Sequence, residues 1–121
     1  MARFIGRLQI EPYNKVWKVT SPITYTSIKT GRITIPVGFT TDFASIPRIF
    51  YSFIPRMGWR YNYASLLHDY LYSRDCFDLG ITRSEADKIF LDAMGLLGVR
   101  RWRRVIMYYG VRLFGNRYFR K

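Results

Sequence analysis

The sequence predicts an α+β fold in which an antiparallel sheet precedes a group of helices. Residues 1–41 consist of short segments rich in β-branched and aromatic residues, whereas residues 61–121 repeat their apolar residues at helical spacing. Strands followed by helices, without alternation of the two, are typical of an α+β fold and not of a parallel α/β sheet. A chain of 121 residues suits one core, so we expect residues 1–121 to form a single domain.

Four segments are predicted to be the strands of an antiparallel β-meander. Each is short and roughly alternates polar with apolar residues, and the turns between them contain proline, asparagine, serine or glycine. We therefore expect about four strands that pair with their neighbours in the chain. The segments are Phe4–Ile10, Val16–Val19, Ile23–Tyr25 and Arg32–Ile35.

About three helices are predicted after the strands. Thr82 and Glu85 have the spacing of a capping box, and Gly98 is a typical residue at a helix end. A short helical turn is also expected at residues 47–53. The three helices extend from Tyr61 to about Arg74, from Thr82 to about Leu97, and from about Val99 toward Phe119.

The chain is strongly basic, which favours anionic partners. Twenty Lys and Arg residues against eight Asp and Glu residues give a net charge of +12, and no acidic residue follows Asp92. The N-terminal residues lack the apolar block of a signal peptide, so we expect synthesis in a cytoplasm. No apolar run reaches the ~20 residues of a membrane-spanning helix. The single cysteine, Cys76, excludes an internal disulfide.

His68 is the only histidine and is therefore the main candidate for acid–base chemistry. Helical geometry places His68 and Tyr72 on one apolar face, with Asp69 at its border. Asp87 lies at the edge of the apolar face of the next helix and would meet His68 where the helices pack. An aspartate on one imidazole nitrogen leaves the other able to accept a proton from water. The alternative, more often found for a lone histidine on an apolar face, is a hydrogen-bonded core residue without chemistry.

A second candidate segment, residues 38–48, connects the strands to the helices. Asp42 could be a metal ligand or a second partner of His68, and Ser45 could be a nucleophile. Both residues also suit the side-chain turns that precede a proline such as Pro47. For Ser45 the turn is the favoured interpretation, because no G-x-S-x-G motif surrounds it.

Three blocks of sequence together resemble a phage-encoded family of unknown function. The blocks occur in a fixed order, and the resemblance covers about residues 30–115. It implies a tailed-phage or prophage source, with synthesis in the host cytoplasm and incorporation in the virion as one outcome. The blocks are Gly38–Arg48 (beginning G-F-T-T-D-F-A-S-I-P), Leu67–Tyr72 (containing H-D-Y-L-Y) and Arg83–Phe90 (containing E-A-D-K-I-F).

The pattern His68-Asp69-x-x-Tyr72, followed by Asp87, is also similar to the active helices of phospholipases of the secretory and parvovirus-capsid kind. The resemblance implies that His68 activates a water and that Asp87 orients His68 with help from Tyr72. It also implies that Asp69 binds calcium. Those enzymes have a glycine-rich calcium loop before the histidine helix, where this chain has only Gly38 and Gly58.

The third helix combines apolar stripes with arginines, of which Arg100, Arg101, Arg103 and Arg104 are candidates for binding an anion or a partner. We expect a largely buried helix, covered by its own domain or by a partner. The arginines could meet an anionic membrane surface, nucleic acid or acidic surfaces of phage virion proteins, or they could simply be solvated. Two apolar stripes are predicted: Trp102, Val105, Ile106, Tyr109 and Leu113, and Met107, Val111, Phe114 and Tyr118.

The sequence therefore indicates three candidate functions. The favoured one is a small hydrolase built on His68 and Asp87, the second is a non-catalytic phage virion or assembly protein, and nucleic-acid binding ranks last.

Overall fold

Six short strands precede three α-helices in the described part of the chain, which confirms the predicted α+β class and the order of its parts. The structure is a computed structural model in which residues 3–14, 16–41, 60–73 and 80–119 are described. Residues 1–42 and residues 43–121 form two compact units. The expectation of one domain over 1–121 stays a prediction. The predicted helical turn at 47–53, together with Asp42, Ser45 and Cys76, lies outside the described residues.

The strands of the first unit form two three-stranded antiparallel sheets, with the orders β1-β4-β5 and β2-β3-β6. The predicted first strand, Phe4–Ile10, ends at Ile5, because the chain turns at Gly6, where φ is +104° and a Cβ would lie 2.6 Å from the carbonyl oxygen of Pro22. A separate strand begins at Ile10. The strands are β1 (Arg3–Ile5), β2 (Ile10–Tyr13), β3 (Val16–Val19), β4 (Ile23–Ser27), β5 (Gly31–Ile35) and β6 (Thr40–Thr41).

Strands β4 and β5 show the alternation on which the strand prediction was based. Ile23 pairs with Ile35, and Tyr25 pairs with Ile33. All four side chains are buried, whereas the residues between them are more exposed. Because side chains in a strand alternate between its two faces, these four residues lie on one face and form the core of their sheet.

The second unit contains helices α1 (Arg60–Tyr72), α2 (Arg83–Leu96) and α3 (Arg101–Phe114), followed by a 3₁₀ turn (Gly115–Tyr118). Helix α1 packs against α2, and α2 packs against α3. Every residue from 63 to 72 is buried, so this part of α1 is enclosed on all sides and not only on its predicted apolar face. Within the described residues, no helix is long and apolar enough to cross a bilayer.

Both ends of α2 follow the signals in the sequence. The Thr82 hydroxyl accepts a hydrogen bond from the Glu85 amide at 3.1 Å, and the Glu85 carboxylate accepts one from the Thr82 amide at 3.0 Å. This is the predicted capping box. At the other end Gly98 has a φ of +85°, and the Val99 amide donates to the carbonyl of Met94 at 3.0 Å, as in a Schellman motif.

Candidate active site

His68 on α1 and Asp87 on α2 form a buried hydrogen-bonded pair. Nε2 of His68 lies 2.8 Å from Oδ1 of Asp87, and neither side chain has any exposed surface. The imidazole also contacts two aromatic rings, those of Tyr72 and Phe90, at centroid distances of 4.1 and 4.6 Å. The predicted contact between the two helices is therefore present, while the catalytic role of the pair stays a prediction.

Tyr72 donates its hydroxyl hydrogen to the same oxygen of Asp87, as the sequence led us to expect. The two oxygens are 2.6 Å apart, and the phenol is buried. The ring of Phe119 meets the ring of Tyr72 edge-on at 5.1 Å, and Gly115 lies directly against the phenol from the start of the 3₁₀ turn. Residues at i and i+4 share a helix face, so His68 and Tyr72 reach one carboxylate together.

Arg112 on α3 is a third donor to Asp87, and no pattern in the sequence identified it. Nη1 of Arg112 lies 2.8 Å from Oδ2 of Asp87, and its side chain is 32% exposed. Asp87 is thus bound by side chains from α1 and α3 while it belongs to α2. The two residues are 25 positions apart, so helical spacing does not relate them. The one indication that the sequence offered is general: a buried carboxylate such as that of Asp87 needs a cation as a partner.

Arg83, at the start of α2, connects this helix to the end of α3. Its Nη2 donates to the carbonyl of Val111 at 2.8 Å and to that of Arg112. Both carbonyls belong to the last turn of α3, where a helix has unpaired acceptors and a partial negative charge. The guanidinium therefore fastens the segment of α3 that carries Arg112.

The hydrogen bonds and the burial together set the protonation of this cluster. Burial opposes ionisation of Asp87, but hydrogen bonds from His68, Tyr72 and Arg112 outweigh it and lower the carboxyl pKa. Burial lowers the pKa of His68, although its hydrogen bond to Asp87 acts in the opposite direction. Burial, and after it the nearby carboxylate, raises the pKa of Tyr72. At neutral pH a neutral imidazole therefore donates from Nε2 to an ionised carboxylate, and Nδ1 holds the lone pair.

Four buried polar residues of α1, namely Ser65, His68, Asp69 and Tyr72, lie within an arc of about 100° on the helix surface. Ser65 is an addition to the predicted site. Its hydroxyl oxygen is buried and has no hydrogen-bond partner among the described residues. Because an unpaired buried hydroxyl is unfavourable, a bound water or ligand on this face of α1 would stabilise it.

Only one of the two predicted calcium ligands is a described residue. Asp69 is a buried residue of α1, whereas Asp42 lies outside the described residues. Across residues 3–14, 16–41, 60–73 and 80–119, no group of three or more His, Cys, Asp and Glu side chains could hold a metal ion. Ca²⁺ requires more oxygen ligands than one carboxylate provides, so Asp69 alone would not hold the ion. Calcium binding stays a prediction.

The four arginines predicted to bind an anion have different surroundings. Arg100 and Arg101 are exposed, whereas Arg103 and Arg104 are half-buried. The guanidinium of Arg103 lies over the ring of Trp102 at 5.1 Å. Nη1 of Arg104 donates to a backbone carbonyl of the connection between α2 and α3 at 3.0 Å. Arg104 therefore contributes to helix packing, and anion binding by all four arginines stays a prediction.

One family model, described as a protein of unknown function (DUF1353), matches residues 17–111. The chain belongs to the DUF1353 family. The part that matches DUF1353 includes α1, α2 and most of α3, and with them His68, Asp87 and Tyr72. No curated protein and no solved structure matches the chain significantly. The prediction of a family of unknown function is confirmed, and the DUF1353 description names no activity, substrate or source.

Proposed function

We propose that this DUF1353 chain is a small hydrolase of the phospholipase type, with His68 as the general base. The observation that supports it most directly is the 2.8 Å hydrogen bond between Nε2 of His68 and Oδ1 of Asp87. Asp87 is in turn held by Tyr72 and Arg112, so the imidazole has one orientation and one favoured tautomer. These contacts correspond to the roles that the likeness to secretory and parvovirus-capsid phospholipases assigned to His68, Asp87 and Tyr72.

In the proposed reaction Nδ1 of His68 takes a proton from a water molecule, and the resulting hydroxide attacks an ester carbonyl. The tetrahedral intermediate expels an alkoxide, which receives the proton from the imidazolium. The products are a fatty acid and a lysophospholipid. Asp87 remains ionised throughout and stabilises the imidazolium, while Tyr72 and Arg112 hold Asp87 in place. In this proposal Asp69 would be a calcium ligand, as the phospholipase likeness implies, and no step above passes through calcium.

The biological setting is part of the same proposal. The three sequence blocks favour a tailed-phage source, and a phospholipase would act on lipid of the host envelope. The partners we propose are virion proteins or an anionic membrane surface, with incorporation in the virion as the way in which the enzyme would reach its substrate. The charge of +12 supports anionic partners of either kind.

The test is fatty-acid release from vesicles of phosphatidylglycerol and phosphatidylcholine by the full chain, with calcium and with a chelator. His68→Gln places an amide near Nε2 and so retains a donor to Asp87, but it has no proton acceptor at the position of Nδ1. We expect this variant to remain folded by circular dichroism and to lose activity by roughly 100-fold or more. The matched control is Asp92→Asn, which removes an exposed carboxylate from the same helix as Asp87 and leaves the activity unchanged.

The complete burial of His68 favours a second candidate, in which the cluster only joins the helices and the chain is a non-catalytic virion or assembly protein. A parent protein that releases no fatty acid under either condition supports this second candidate. A folded His68→Gln variant that is as active as the parent, with and without calcium, excludes His68 as the base.

A further inference from the structure

Helix α3 exposes a row of large apolar side chains on the side away from its buried residues. Trp102, Ile106, Tyr109 and Leu113 are 50, 37, 59 and 73% exposed, respectively. These four residues form what we call the α3 stripe. The spacing i, i+4, i+7 and i+11 places them on one line along the helix, about 17 Å long at 1.5 Å per residue.

The α3 stripe differs from the other apolar side of the same helix. Met107 and Val111 are fully buried and face the rest of the second unit. The sequence predicted that both stripes would be covered by the domain or by a partner. Of the described residues in these stripes, Met107 and Val111 are buried, whereas the α3 stripe and Phe114 are exposed. A continuous exposed apolar row of this kind is typical of a surface that binds something.

Positive charge is concentrated at the N-terminal end of the α3 stripe. Arg101 and Arg103 flank Trp102 in the chain and project about 100° to either side of it, and Arg100 precedes the helix. Arg100 and Arg101 are exposed, and the guanidinium of Arg103 lies over the indole ring of Trp102 at 5.1 Å. No acidic residue occurs from Arg100 to the last residue of the sequence. The complementary surface must therefore be apolar along the α3 stripe and anionic beside its N-terminal end.

We propose that α3 docks this protein on the surface of an anionic lipid bilayer through the α3 stripe. A helix in the plane of the bilayer interface places its apolar side among the acyl chains and its arginines at the phosphates. Trp102 and Tyr109 are of the two residue types that are enriched at this depth, because their rings are apolar and their N–H or O–H group is polar.

Other occupants fit the α3 stripe less well. A second copy of the chain would bring two sets of arginines together without acidic residues to neutralise them. Nucleic acid would contact the arginines but would leave Ile106 and Leu113 against a polar groove or backbone. This docking rests on the part of the proposed function that names an anionic membrane surface as a partner. It is tested separately from hydrolysis, because vesicle binding can be measured with His68→Gln as well as with the parent chain.

The experiment is co-sedimentation of the full chain with vesicles of phosphatidylglycerol and phosphatidylcholine, compared with vesicles of phosphatidylcholine alone. We expect binding to the anionic vesicles only, and weaker binding as salt is added. The double variant Tyr109→Ser with Leu113→Ser should bind at least about tenfold more weakly, because both side chains leave water on docking. The double variant Arg100→Gln with Arg101→Gln should also bind roughly tenfold more weakly.

The matched control is Ile28→Ser with Val37→Ser, which removes two exposed apolar side chains from the strand unit and should bind as the parent does. Equal binding by the Tyr109/Leu113 variant and the parent overturns the proposal, as does the absence of binding to anionic vesicles. The Tyr109/Leu113 variant also tests three other interactions: self-association, binding to duplex DNA and binding to an acidic protein. If the variant loses one of these interactions but binds vesicles as the parent does, the proposal is overturned.

Discussion

At the scale of single residues, the central feature is a carboxylate that is fully buried yet accepts three hydrogen bonds. Asp87 receives them from His68, Tyr72 and Arg112 at 2.8, 2.6 and 2.8 Å. Hydrogen bonds to a charged group stabilise a protein more than neutral ones, and an unpaired buried carboxylate would be strongly unfavourable. The cluster therefore depends on all its members remaining in the protonation states that the neutral-pH geometry requires.

The stability of the protein should therefore depend on pH through His68. Because its pKa is lowered in the folded chain, the unfolded chain binds more protons just below the usual value of 6.5. This contribution to stability is fully present above that value and is lost as the pH falls toward the lower folded pKa. Asp87, whose pKa is also lowered, adds a loss at more acidic pH. Tyr72, whose pKa is raised by burial and by the nearby carboxylate, stays neutral in this range.

Urea unfolding at a series of pH values measures this effect. The free energy of unfolding should fall below pH 6.5 with a slope of up to about 1.4 kcal/mol per pH unit, since one proton is involved. His68→Gln should flatten the curve in that range, whereas Asp92→Asn should retain the slope of the parent. An unchanged slope in His68→Gln would show that other groups determine the dependence.

The residues of this cluster also show what a sequence can reveal about a site. His68, Tyr72 and Asp87 were predicted to meet because helical periodicity orders residues four apart, and because two neighbouring apolar faces must pack. Arg83 and Arg112 were not identified, since their contacts join the start of one helix to the end of another. Such contacts depend on the tertiary arrangement and leave no local pattern.

At the scale of secondary-structure elements, local chemistry predicted α2 better than it predicted the strands. The capping box and the glycine at the end of α2 act within a few residues, so their signals are complete in the sequence. The first predicted strand was too long, because the turn at Gly6 depends on a close approach to Pro22, 16 positions later. The apolar stripes of α3 were predicted, but the sequence did not show which of them the protein itself buries. Periodicity identifies an apolar stripe and does not identify the surface that packs against it.

The capping box provides a prediction at this scale. Thr82→Ala removes the hydroxyl that accepts from the Glu85 amide, so the free energy of unfolding should fall by about 1 kcal/mol. Chemical denaturation at neutral pH measures the change. Ser84→Ala is the control, because Ser84 is an exposed residue of the same helical turn, and it should change stability by less than about 0.5 kcal/mol. Equal effects of the two substitutions would show that the cap does not stabilise α2.

At the scale of the helical unit, one carboxylate joins all three helices. Asp87 belongs to α2, accepts from two residues of α1 and accepts from Arg112 of α3. Arg83 adds a second connection between α2 and α3. Since the connections meet at a single buried group, we infer that the three helices lose their protection together when one connection is removed.

Arg112→Gln tests this cooperativity. It removes the cation from a buried carboxylate, so global stability should fall by roughly 1–3 kcal/mol. Amide hydrogen exchange should accelerate in α1 and α2 as well as in α3. Arg100→Gln removes an exposed arginine near the start of α3 and should leave the exchange of all three helices unchanged. Faster exchange confined to α3 would contradict the inference.

The contact of Gly115 with Tyr72 restricts how this part of the chain can vary. A methyl group on Gly115 would lie 2.8 Å from the phenol oxygen and 3.1 Å from a ring carbon. An alanine there would displace the hydroxyl, and with it one of the donors to Asp87. A larger residue at position 115 is therefore compatible with this packing only if position 72 becomes smaller at the same time, so that two sites 43 residues apart in the sequence must change in compensation.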